Sequence, residues 1–194
     1  MKLLVVGEPG SGKTSWCKGY IDWWRKRGST VGGILSPETG KHGRRTAFNA
    51  IDLLTGEEIP FAQLSRHRSF KGGERVGDYT INRDAILFAC GAIERAVQNK
   101  CDLVVIDEVG PLELRGKGLM PAVELALASP VNVLIVVRSS LKGALQRHFP
   151  QYVFVVVPDL TQSPSNVSEL ADCKSREVTT YASPTEGCQA QKTK

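Results

Sequence analysis

The chain has 194 residues, 41% of them hydrophobic and 23% charged, with a formal net charge of +5. That length suits one α/β domain with a sizeable buried core, and the composition is ordinary for a globular protein. The mild positive excess suits an anionic ligand but is too small to argue for nucleic acid, and the five dispersed cysteines form no CxxC, which argues against a disulfide framework or a zinc site.

Leu3 to Val6 is a short apolar run that reads as a buried strand. It is too short for a leader peptide or a membrane span, so a cytoplasmic setting with reduced thiols is expected. Gly7 to Gly12 breaks the run. Ser11 to Arg27 reads as a helix, closed by Lys26, Arg27 and Gly28. Val31 to Leu35 is a second strand. Arg45 to Leu54 and Ile59 to Leu64 flank the turn Thr55-Gly56-Glu57-Glu58 and predict an antiparallel hairpin. Ser65 to Gly77 is polar, basic and glycine-containing, and reads as a mobile loop. Arg83 to Asn99 has helical spacing, with Ile86, Ala89, Ile93 and Val97 on one face. Then follow a strand at Leu103 to Ile106, a helix at Leu119 to Ala128 and a strand at Val131 to Val137. A helix at Ser139 to His148 and a strand at Tyr152 to Val157 complete the series.

This alternation predicts a three-layer α/β sandwich. Its sheet is mostly parallel and covered on both faces, with the hairpin adding antiparallel strands at one edge. From Thr161 the chain turns rich in Ser, Thr, Gln, Asn and Pro. One domain over residues 1–160 is expected, followed by a polar tail over 161–194 that is partly disordered.

Gly7-Glu8-Pro9-Gly10-Ser11-Gly12-Lys13-Thr14 fits the pattern GxxxxGK[ST] and sits between a buried strand and a helix, the setting that pattern requires. Glycines let the backbone curl so that successive N–H groups point at phosphates. The opening of a helix adds free amides and a positive dipole end. The dipole alone is worth only about 0.3–1 kcal/mol per exposed charge. Lys13 therefore supplies a full charge to the β- and γ-phosphates, and the Thr14 hydroxyl is a hard oxygen suited to Mg²⁺. Residues Gly7 through Thr14, together with Ser15, form the expected nucleotide site. The plainer alternative is a glycine-rich turn beside a stray lysine.

Leu103-Val104-Val105-Ile106 ends in Asp107-Glu108. A P-loop site needs a carboxylate at the end of a neighbouring strand to hold the magnesium shell, and Asp107 fits. Glu108 can then polarise the attacking water, a contribution of about 10²–10⁴-fold. The alternative is that both acids cap the next segment. A GTPase-like switch more often carries DxxG here. The adjacent pair points to the P-loop branch with an added catalytic glutamate.

Four segments resemble the nucleoside-triphosphatase family known from thermophiles and from a human cancer-related homologue. They are GEPGSGKT from Gly7, GRRTAFNAIDL from Gly43, VGDYTIN from Val76 and VVIDEVGPLEL from Val104. In order and spacing they reach to about Asp159. The resemblance implies a RecA-like P-loop fold with an edge hairpin. It also implies slow hydrolysis of several nucleoside triphosphates with little base preference, and Lys13, Thr14, Asp107 and Glu108 match the family's motif positions. Two local departures stand out: Gly32-Gly33, where the family more often has an aromatic residue after the first glycine, and Pro111-Leu112 after DE-x-G, where a lysine-methionine pair is more usual.

Weaker candidates are Arg44 and Arg45 at the hairpin, where a transition-state arginine would be worth about 10³–10⁵-fold and a charged strand edge is the alternative. Arg138 follows directly on a strand, at the end that faces the ligand crevice of parallel sheets, and can sense the γ-phosphate there. Arg66, His67, Arg68, Lys71 and Arg75 read as surface, Trp23 and Trp24 as packing, and Glu113 as a group that orients the Glu108 region. The expected protein is a cytoplasmic, monomeric, Mg²⁺-dependent phosphohydrolase of ATP, GTP and other nucleoside triphosphates, with no membrane or nucleic-acid partner. A small-molecule or nucleotide kinase and a slow nucleotide switch are the alternatives.

Overall fold

Alternating apolar side chains sort onto two faces of one sheet. The computed structural model describes residues 1–39, 46–66, 70–157 and 159–163. In chain order these form β1 (Lys2–Val6), α1 (Lys13–Arg25), β2 (Val31–Leu35), β3 (Glu38–Thr39), β4 (Ala47–Asp52), β5 (Glu58–Leu64), β6 (Glu74–Val76) and β7 (Tyr79–Ile81). Then come α2 (Arg83–Gln98), β8 (Leu103–Val109), α3 (Met120–Ala128), β9 (Asn132–Val137), α4 (Lys142–His148) and β10 (Val155–Val156). The strands lie in the order β10-β1-β9-β8-β2-β4-β5-β7-β6, with β3 paired to β4. From β10 to β2 the pairings are parallel. From β4 onward they are antiparallel.

Along β1, Leu3 and Val5 face α1 while Leu4 faces the opposite layer; β8 and β9 alternate the same way. The stripe Trp16, Cys17, Tyr20 and Ile21 seats α1 on its face. The other face is covered by α2, α3 and α4. Each fully buried Leu, Ile or Val in these layers contributes about 1.5–3 kcal/mol. Asn82 caps α2, its side chain accepting from the Asp84 N–H at 3.1 Å. The buried residues of α2 are mostly alanines, which lets it lie hard against β2.

That closeness explains Gly32-Gly33. A side chain at Gly32 would place its Cβ 2.5 Å from the Ala96 Cβ of α2. No larger residue has room at either glycine. Gly33 has φ +93°, and a Cβ there would run into the Val105 carbonyl oxygen of β8. It also stands where the sheet changes hand of pairing, its carbonyl accepting from the Leu53 N–H at 3.0 Å.

The expected hairpin is present as β4 and β5. Pro60 has no N–H to give the ladder, and the register shifts between Phe48 and Asn49, beside it. The stretch Ser65 to Gly77 is not loop throughout: Glu74–Val76 forms β6 against β7, which pairs β5. Three-residue strands are too short to show a period, and their partners supply the order. The strand expected at Leu103 to Ile106 continues to Val109, so Asp107 and Glu108 lie within it. The helix expected from Ser139 starts as a 3₁₀ turn at Ser139–Leu141. The last strand is cut to Val155–Val156. Packing passes the boundary expected at residue 160, since Trp16 Nε1 donates to the Gln162 carbonyl at 3.1 Å. The rest of the expected tail, residues 164–194, lies outside the described residues. Among the described residues no helix is long and apolar enough to cross a membrane.

Asp52 ends β4 fully buried and accepts from Arg95 of α2 at 2.7 Å and from the Leu54 N–H at 2.8 Å. Burial pushes its carboxyl up, but the Arg95 guanidinium and the Leu54 amide outweigh this and hold it below its ordinary value. Such a carboxylate stabilises the fold fully above its unfolded pKa and loses that contribution as pH falls through the folded one. Arg95 is half exposed, so water screens the pair. Asp52→Asn is expected to cost about 1 kcal/mol at pH 7 in urea unfolding. The gap to wild type should close as pH falls below about 4.

Candidate functional site

The residues from Gly7 to Gly12 link the end of β1 to the start of α1. Gly12 caps the helix at φ 88°, no side chain caps it, and its first turn holds no acid. Ser11 N–H donates to the Glu8 carbonyl at 3.1 Å, closing the curl. Lys13, only 6% exposed, lies in the curl and donates to the Gly7 and Glu8 carbonyls, each at 2.9 Å. Its Nζ also stands 3.9 Å from Glu108 Oε2.

β9 separates β1 from β8, so the two halves of the site meet across it. Asp107 Oδ2 accepts from the Thr14 hydroxyl at 3.1 Å and from the Ser36 N–H at 3.1 Å. The carboxyl is 2% exposed, and burial pushes its pKa up to about 7. The Ser36 amide, Thr14 and Lys13 pull it down, while the Glu108 charge pushes it further up. A buried carboxylate in that state gains from a cation beside it. Ser36 Oγ, next to it, is buried with no hydrogen-bond partner among the described residues.

Arg138, at the end of β9, donates from Nε to Glu108 Oε1 at 2.8 Å. The strand-end arginine therefore lies in the site, and its partner here is the second acid. Glu113 sits one turn beyond β8. It accepts from the Gly110 N–H at 2.8 Å and from the Leu119 N–H at 3.2 Å, and burial pushes its carboxyl up. It ties the segment that follows Glu108 rather than touching Glu108 itself.

A cleft of about 160 Å³ opens from these groups. Thr14, Ser36, Asp107, Glu108 and Arg138 form one end. The other wall is apolar, with Phe48, Phe61, Val76, Tyr79 and Ile81 from the antiparallel strands.

Of the other sequence candidates, Arg44, Arg45, His67 and Arg68 lie outside the described residues. Arg66, Lys71 and Arg75 are exposed, in line with surface residues. Trp23 stacks on Tyr20 and carries the Arg27 guanidinium 3.7 Å from its ring centre, and Trp24 packs edge-on against Tyr20. The sequence reading missed Ser36 and the apolar wall. The rule that picked out Arg138, a polar residue just past a parallel strand, also fits Ser36 after β2.

A helix opened by a glycine curl, a lysine inside that curl and two acids on the strand one removed from it define a P-loop nucleotide-binding α/β protein. Residues 2–167 match the family model described as NTPase, and the chain belongs to that family. It is 32% identical over 160 residues to the nucleoside-triphosphatase THEP1 of Methanothermobacter thermautotrophicus, covering 82% of this chain and 88% of that one. To the protein of the same name from Methanopyrus kandleri it is 37% identical over 135 residues, 70% of this chain and 72% of that one. The fold is shared with the crystal structure of THEP1 from Aquifex aeolicus, with TM-score 0.65 and 24% identity over 89% of this chain and 98% of that one. A human cancer-related nucleoside triphosphatase, solved in solution, gives TM-score 0.64 at 21% identity over 90% and 97%.

Glu113→Ala leaves two amides without their acceptor and should cost about 1–3 kcal/mol. Thermal unfolding should register this as a Tm lower by about 2–4 °C per kcal/mol. An unchanged Tm would mean that the Gly110 and Leu119 amides do not depend on this side chain.

Proposed function

We propose that this chain hydrolyses nucleoside triphosphates, ATP and GTP among them, to the diphosphate and phosphate in a Mg²⁺-dependent reaction. The observation that carries this reading is the Thr14–Asp107 hydrogen bond, which joins the P-loop helix to the acidic strand with Lys13 and Glu108 beside it. The printed names of its relatives, nucleoside-triphosphatases, support the same activity.

In this reading the triphosphate lies over the Gly7–Ser15 turn, taking hydrogen bonds from its amides. Lys13 exchanges its two carbonyl partners for β- and γ-phosphate oxygens. The Thr14 hydroxyl and the Asp107 carboxylate are hard oxygens and fit Mg²⁺, with the unpartnered Ser36 Oγ beside them. Among the described residues no group of three His, Cys, Asp or Glu could cage a metal alone. That suits an ion that keeps waters and is shared with substrate phosphates. When bound, Mg²⁺ neutralises charge on the β- and γ-phosphates. Glu108 accepts the proton of the attacking water, and Arg138, which lines the cleft, holds that carboxylate in place through Nε. We assign the transition-state charge to Arg138, and put Arg45 forward as a second arginine on its motif position alone. Scattered thiols fit a cytoplasmic enzyme, which we take to act as a monomer.

Glu108→Gln is expected to bind nucleotide as wild type does and to lose about 10²–10⁴-fold in turnover. Turnover equal to wild type in a phosphate-release assay would take Glu108 out of the mechanism. Chelation with EDTA should abolish phosphate release, and added Mg²⁺ should restore it; release that survives chelation would refute the metal dependence.

A further inference from the structure

We infer that the apolar cleft is an acceptor pocket for a neutral alcohol with a planar apolar body, whose hydroxyl takes the γ-phosphoryl group in place of water. This rests on the reading of Lys13, Asp107 and Glu108 as phosphate machinery.

The cleft is continuous with that machinery, since Thr14, Asp107, Glu108 and Arg138 line its inner end. Attack by water needs no apolar chamber. Here one is built, and a whole half of the sheet builds it. Phe48 and Tyr79 meet edge to face with ring centres 5.4 Å apart, and Val76 and Ile81 extend the wall. In a regular strand neighbouring residues point to opposite faces, yet Phe61 and Ala62 both line the cleft. The register shift opposite Pro60 accounts for this, turning Phe61 inward. Small-molecule sites share these mostly apolar walls with a few polar groups at one end, and at about 160 Å³ this one takes only a small acceptor or the reacting end of a larger one.

Charge selects the occupant. The acids facing the cleft are Asp107, Glu108 and Glu113. Among the described lining residues Arg138 is the one cation, set against three carboxyls and bound through Nε to one of them. A phosphorylated or carboxylated acceptor would meet repulsion there, while a neutral hydroxyl can donate to Glu108. In the transfer the hydroxyl oxygen forms a bond to the γ-phosphorus and its proton passes to Glu108. The bond from the γ-phosphorus to the β,γ-bridging oxygen breaks, and its electron pair leaves on the nucleoside diphosphate. Nothing is oxidised or reduced.

The test incubates the full chain with Mg²⁺ and [γ-³²P]ATP, alone and with thymidine, adenosine or 4-hydroxybenzyl alcohol. At least one probe should yield a labelled phosphate monoester, with a matching fall in phosphate release because both nucleophiles use Glu108. Val76→Trp fills the wall and should cut monoester formation by about tenfold or more, leaving phosphate release without probe within about twofold of wild type. Should that variant fail to release phosphate at all, Phe48→Ala carries the test, with a rise of about tenfold in the KM of the probe. Phosphate release with no labelled monoester from any probe overturns the pocket, as does monoester formation untouched by both variants. Monoester formation without phosphate release in the absence of probe would overturn the hydrolase reading and leave the pocket standing.

Discussion

One oxygen of Asp107 holds the site together. It is almost wholly buried at the inner end of the cleft, so most of its hydrogen bonding must come from inside the protein. The Thr14 hydroxyl brings in the first helix, and the Ser36 amide brings in the end of β2. Three pieces of chain far apart in sequence are thereby fixed to one point. Burial raises the cost of the charge, and the two donors offset part of it. The residual demand for positive charge is what the proposed Mg²⁺ would meet.

The sheet divides the labour. Its parallel half sends strand ends to one crevice, where α1, β8, β9 and the end of β2 deliver Thr14, Asp107, Glu108, Arg138 and Ser36. Its antiparallel half carries aromatic and aliphatic groups to the side of that crevice. Gly33 marks the seam, where a strand paired in parallel on one side begins to pair antiparallel on the other. The buried Asp52 and its Arg95 partner pin the seam to α2. The wall and the phosphate end are thus parts of one framework.

Much of this was legible in the sequence, and the physics says why. Gly7 to Thr14 is a local device, because its spacing alone dictates a curl at a helix start. Asp107 and Glu108 stood out because four apolar residues lead into them. Their strand nevertheless runs on to Val109, held by pairing with Val137 of β9, which no local pattern reveals. Ser36 was legible only by its position after a parallel strand, and its bond to Asp107 depends on β2 and β8 being neighbours. The short β7 makes sense only beside β5, and β6 only beside β7. Arg138 was legible by position, but its bond to Glu108 joins residues 30 apart and depends on β8 and β9 being neighbours.

The irregularity opposite Pro60 has a further meaning for how this molecule can change. A pleated strand locks the parity of its side chains from end to end, so altering one tip normally constrains the other. Here the phase slips by one residue partway along β5. The tip at Thr55 to Glu58 and the stretch beyond Phe61 are released from a common parity. Descendants of this chain can therefore reshape the lining around Phe61 and Ala62 while the bend keeps its own rules, and the glycine curl at the opposite side of the sheet need never take part.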